Sequence, residues 1–188
     1  MKLLMAIAIA VLAASTAAFA QAPQTPAPTD PAFEKALLPA PRQMREGATI
    51  IKWKPDFTYE VLRKGTNRLV CYDRSGEPGE QPFAVQCTSI ANLDRVAQNF
   101  KLEAIADPDK RRAAFEEAEK NGTRIKPEFG SVWYSMNGKD QATARLHITV
   151  AVPGATAASL GLPDNNKQGG VWIMNAGTST AHLMIPGS

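Results

Sequence analysis

Residues 130–186 read GSVWYSMNGKDQATARLHITVAVPGATAASLGLPDNNKQGGVWIMNAGTSTAHLMIP, and the fold class turns on how this stretch is divided. Leu146, Ile148 and Val150 alternate with Arg145, His147 and Thr149, the period-two pattern of a strand with one buried face. Ser131 to Met136 and Val171 to Met174 are short runs rich in apolar and aromatic residues and read as two further strands. Ala181 to Ile185 closes the chain as an edge or closing strand. Asn137-Gly138 is the strongest short turn signal present and predicts a hairpin, with the next strand starting near Ala142 to Arg145. Pro153-Gly154 and Gly177 to Thr180 mark the other reversals, and residues 155–162 read as loop or one weak helical turn.

Four more strands precede this stretch: Ala48 to Trp53, Thr58 to Arg63, Arg68 to Tyr72 and Phe83 to Cys87. Lys64-Gly65-Thr66-Asn67 predicts a hairpin joining the second to the third. Asp73 to Pro82, with two Gly and two Pro, is a loop. From Ser89 the spacing becomes helical: Ile90, Leu93, Val96, Ala97 and Phe100 fall on one face at intervals of three and four, and the helix runs to about Ala106. Asp107-Pro108 opens a second helix by the cap-then-proline signature, and Asn121-Gly122 ends it. Its face carries Arg112, Glu116 and Lys120 at helical neighbour spacing, the mark of a solvated surface. The expected fold is therefore α+β: a single domain over residues 44–188, with a mainly antiparallel sheet of roughly six to eight strands and two central helices packed on one face or end.

The N-terminus reads as a processing signal. Lys2, the apolar run Leu3 to Leu12 and the small-x-small site Ala18-Phe19-Ala20 form a signal peptide over residues 1–20, too short for a membrane span. Residues 21–43 read as a Pro/Ala-rich leader with a short helix starting at Pro31, capped by Asp30. Removing 20 of 188 residues leaves 168, enough for one core. Without Lys2 there remain 20 basic residues against 18 acidic, a balance that gives no footprint for nucleic acid. Periplasmic or secreted localisation follows as the expectation, with no integral membrane segment after signal cleavage. In that compartment Cys71 and Cys87, the only cysteines, pair as a disulfide across the Asp73 to Pro82 loop. Their spacing fits neither a CxxC redox pair nor a zinc-ligand pattern.

Strand parity gives the sharpest functional argument. With Leu146, Ile148 and Val150 pointing into the core, His147 points away; by the same count His182 and Met184 oppose Leu183 and Ile185. Trp133 and Trp172 share that outward side when Val132 and Val171 face inward. Trp133, His147, Trp172 and His182 are thus the candidate ligand-binding set for an unknown small ligand or protein partner, with no cofactor implied. The function expected is a non-catalytic binding or interaction protein. Two alternatives use the same histidines. Ser179 or Thr180 beside His182 has the residue types of a small exported hydrolase with His182 as base, but no nucleophile-elbow, HExxH or SxxK motif accompanies them. His147, His182 and Met184 have the donor types of a soft, copper-type metal site. Finally, GSVWYSMNG and GGVWIMNAG resemble one another faintly, too briefly to establish a repeat.

Overall fold

A computed structural model describes residues 30–186 of the chain. The signal peptide read over residues 1–20 and the Pro-rich stretch up to residue 29 lie outside the described residues. Eight strands form one mixed sheet: β1 (Thr49–Trp53), β2 (Tyr59–Arg63), β3 (Leu69–Asp73), β4 (Phe83–Ser89), β5 (Val132–Gly138), β6 (Arg145–Ala151), β7 (Trp172–Met174) and β8 (His182–Met184). Their order is β2-β1-β3-β4-β5-β6-β8-β7. Every neighbouring pair is antiparallel except β1 with β3. The helices are α1 (Pro31–Leu37), α2 (Arg42–Arg45), α3 (Leu93–Glu103), α4 (Pro108–Lys120) and α5 (Ala157–Leu160). Among the described residues, no helix is long and apolar enough to cross a membrane.

The parallel pair overturns the expected hairpin between β2 and β3. Instead of turning back, residues 64–67 cross the N-terminal end of β1: the amides of Thr66 and Asn67 both donate to the Gly47 carbonyl, at 2.8 and 2.9 Å. Gly65 passes so close that a Cβ there would lie 2.2 Å from that same oxygen. The physical reason is burial. Thr49, Ile50 and Ile51 of β1 are all buried and need strands on both sides, whereas β2 is exposed over Tyr59 to Leu62 and suits an edge.

The Asn137-Gly138 turn is also corrected. Both residues remain in β5, Asn137 opposite Arg145 and Gly138 opposite Phe83, and the chain reverses over residues 139–144. There the Asp140 carboxylate accepts from the Thr143 amide and hydroxyl, both at 2.8 Å. Gly138 is needed for close approach, since a Cβ would meet the Ala144 backbone at 2.6 Å.

Two cores lie on opposite faces of the β1–β3–β4 half. On one face α1 buries Ala36 and Leu37, with Ala40 just beyond it, against Ala48, Ile50, Leu69 and the Cys71–Cys87 bridge. The segment read as leader thus contributes to the core from Ala36 onward. Asp30 caps the helix as expected, accepting from the Ala32 amide at 2.8 Å. On the other face Leu93, Val96 and Phe100 of α3, spaced three and four apart, cover Ile51, Val70 and Tyr72. Burying a side chain of that size contributes roughly 1.5–3 kcal/mol. A third cluster, Val152, Ala155, Ile173 and Ala181, seals the β7–β8 end.

The expected core strand β6 needs revision. Its parity is as read, but Leu146 is 37 % exposed and Ile148 and Val150 are only half-buried. They lie on the α1 side of the sheet, where α1 covers β3 and β4 and the third cluster covers β7 and β8. The opposite side, read as outward, is the one that faces α3.

Candidate functional site

Cross-strand register places all four candidate residues on the α3 side. Trp133 is opposite Thr149, Thr149 opposite Met184, and Met184 opposite Trp172, so the two tryptophans end one lateral row across β5, β6, β8 and β7. His182 lies one row along, between Ala151 and Met174, and His147 lies opposite Ser135 on the far side of the tryptophan row. Parity therefore placed the four residues on one face, and the topology made β6 and β8 neighbours.

The structure does not gather the four at one point. Trp133 and His182 line a cavity of about 310 Å³, together with Thr149 and Ala151 from the sheet, Arg95, Asn99 and the acidic residue Glu103 from α3, Phe115 from α4, and Arg124. Trp172 stands on the outer strand and His147 toward the other end of β6. His147 is four residues from Ala151, the partner of His182. At about 3.3 Å per residue the two histidines are roughly 13 Å apart, too far to ligate one ion, so His147, His182 and Met184 do not converge. Among the described residues there is no group of three or more His, Cys, Asp or Glu arranged to hold a metal.

The hydrolytic arrangement is likewise unformed. His182 Nδ1 lies 2.7 Å from the Thr180 carbonyl, which fixes the proton on Nδ1 and leaves Nε2 as the free ring nitrogen. Ser179 is 6 % exposed, and its hydroxyl donates to Glu119 Oε2 at 2.5 Å. The Thr180 hydroxyl pairs with that of Thr178 at 2.8 Å. No serine or threonine hydroxyl is thus hydrogen-bonded to His182 among the described residues.

Arg95 and Arg124 are the residues that sequence reading missed. Both are buried, at 5 % and 6 % exposure. Arg95 Nη1 donates to the Ile125 carbonyl at 2.5 Å and to the Ser179 hydroxyl at 3.4 Å. Arg124 donates through Nη1 to Gln98 Oε1 at 2.6 Å and through Nη2 to Asn99 Oδ1, and its guanidinium lies 4.8 Å from the Phe115 ring centroid. Burial, and then the neighbouring charge of Arg124, bring the Arg95 guanidinium down to about 10, with Glu119 acting the other way. Burial lowers Arg124 as well. A signal for Arg95 was present: Asn92, Arg95, Asn99 and Glu103 follow at intervals of three, four and four, a polar stripe along one flank of the apolar face. Arg124 had none, because it sits in the irregular stretch NGTRIKPEFG and only the fold brings it to α3.

Buried Asn92 joins the elements that frame this cavity. Its Nδ2 donates to the Thr88 and Ser131 hydroxyls at 2.9 and 3.0 Å, and its Oδ1 accepts from the Glu128 amide at 2.8 Å. One side chain thus fixes the end of β4, the start of β5 and the start of α3 relative to one another.

No protein-family model matches the chain, and no curated protein or solved structure matches it either. The functional reading accordingly rests on the geometry of this cavity.

Proposed function

We propose that this chain is an exported, non-catalytic binding protein whose small ligand enters the cavity between α3, α4 and the sheet face that carries Trp133 and His182. The observation that carries this reading is the convergence there of an indole, an imidazole with a free Nε2 and two guanidinium groups around about 310 Å³ of space. Convergent polar groups beside an aromatic ring are what fixes a ligand's orientation in a small-molecule site. Trp172, at the outer end of the tryptophan row, would extend the surface for a longer ligand. Export is supported by the signal-peptide pattern of residues 1–20 and by the buried Cys71–Cys87 bridge.

The test is a titration of the ¹⁵N-labelled mature chain, residues 21–188, with mixed anionic, neutral and cationic fragments. Saturable shifts should gather on Arg95, Arg124, Trp133 and His182, vanish in Trp133→Ala and persist for short ligands in Trp172→Ala. Shifts that survive Trp133→Ala unchanged would refute the site.

A further inference from the structure

We propose that the ligand of this cavity carries an oxyanion, a carboxylate or phosphate group, for which Arg95 and Arg124 are the paired counter-charge. The inference rests on the reading of the cavity as a ligand site and specifies what that site selects.

The little-exposed arginines around α3 fall into two kinds. Arg74 also lies against α3, with its guanidinium 4.4 Å from the Phe100 ring centroid, but it is neutralised within the protein. Its three guanidinium nitrogens reach Glu77, Glu80 and Glu103 at 3.0, 2.7 and 2.7 Å. Arg95 and Arg124 have the same burial problem and no such solution. Neither has a carboxylate within 4.0 Å among the described residues. The two nearby acids stand outside direct pairing: Glu103 binds Arg74, and Glu119 acts on both guanidiniums only from beyond ion-pair distance, its oxygens accepting from Ser179.

Buried cations with no counter-ion in direct contact are costly, and placing two side by side adds their mutual repulsion. An anion in the cavity removes both costs together. The donors to receive it are present. Each guanidinium carries five N–H groups, and the protein acceptors engage Nη1 alone in Arg95 and Nη1 and Nη2 in Arg124. The Phe115 ring and the Gln98 and Asn99 carbonyl oxygens hold the Arg124 plane in place, so little is left to order on binding. Planar, prearranged forks of this kind match carboxylate and phosphate oxygens better than a halide or a neutral hydroxyl. Trp133 and Thr149, opposite one another on β5 and β6, supply the wall for the rest of the molecule.

The mature chain is titrated at constant ionic strength with inorganic phosphate and with malonate, and with glucose and choline as neutral and cationic probes, following Trp133 and His182 resonances. Phosphate or malonate should give saturable shifts, and the stronger of the two identifies the oxyanion. Affinity should fall at least tenfold in Arg95→Gln and in Arg124→Gln, and less in Arg95→Lys. Thr149→Glu gives a second arm that does not depend on removing a buried residue. A carboxylate placed in this cavity should raise the melting temperature and abolish anion binding, the reverse of its effect in a cavity without excess positive charge. A fall in melting temperature for Thr149→Glu, or anion affinity unchanged in both Gln variants, overturns the proposal. Saturable shifts from glucose or choline alone overturn the oxyanion assignment and leave the cavity standing as a site; no saturable shift from any probe class removes both.

Discussion

Glu119 on α4 and Ser179 in the turn before β8 are joined by two hydrogen bonds: Glu119 Oε1 accepts from the Ser179 amide at 2.6 Å and Oε2 from its hydroxyl at 2.5 Å. The pair ties α4 to the turn that leads into His182, and so fixes one helical wall of the cavity to the sheet wall. Hydrogen bonds to a charged acceptor contribute about 1.5–3 kcal/mol each. Ser179→Ala, which removes one, should lower the unfolding free energy by about 1–3 kcal/mol in urea titrations. Amide exchange over residues 179–182 should quicken in step. If exchange there is unchanged, the clamp does not hold the turn.

The same pair sets an acid limit. Hydrogen bonding by Ser179 holds the Glu119 carboxyl below its ordinary value, and the charges of Arg95 and Arg124 act in the same direction. A carboxylate lowered on folding contributes stability that is fully present above the unfolded value of about 4.3 and is lost as pH falls through the folded one. The wild-type chain should therefore lose stability below about pH 4.3 more steeply than Glu119→Gln, and the gap between them should close in stronger acid. Urea midpoints measured from pH 6 to pH 2.5 check this. Parallel curves would show that Glu119 is not the titrating group.

The elements were legible because each carried a local signal: alternation in Leu146 to Val150, a three-and-four stripe in Leu93 to Phe100, cap and proline at Asp107-Pro108. All eight strands and both central helices could be read this way. The neighbours of β1 could not, since Lys64-Gly65-Thr66-Asn67 has the composition of a hairpin turn and only the burial of Ile50 and Ile51 on both faces makes it a crossover. Parity likewise placed Trp133 and His182 on one face without saying which face would be covered. That depended on where α1 and α3 dock, a tertiary outcome that period-two counting does not contain. Arg124 shows the same limit, because its role comes from contact with Gln98 and Asn99 some twenty-five residues away in sequence.

Cys71 and Cys87 face each other directly across β3 and β4 and are both fully buried. With a sequence separation of 16, the bridge contributes about 3 kcal/mol in the chain-entropy view. The Cys71→Ala/Cys87→Ala double variant should lose about that much in urea unfolding. Because the sulfurs are enclosed, dithiothreitol should reduce the native protein only at the rate of unfolding, and thiol labelling with time checks this. Rapid reduction without loss of structure would place the bridge outside the core.

Leu146 and Ile173 separate the two roles that aliphatic strand residues play in this sheet. Both point to the α1 side, yet Ile173 is fully buried among Val152, Ala155 and Ala181, whereas Leu146 is 37 % exposed. Sequence pattern alone favours the opposite ranking, since Leu146 opens the cleanest alternation in the chain and Ile173 belongs to a strand of three residues. Truncating a buried isoleucine costs about 2–5 kcal/mol because both transfer energy and packing are lost, and the cost falls where the site already meets water. Ile173→Ala should therefore destabilise by at least about 2 kcal/mol, and Leu146→Ala by less than about 1 kcal/mol. Leu146→Lys should be tolerated, its stem lying along Met136 with the amine in solvent. Equal losses for the two alanine variants would mean that something covers Leu146 in solution.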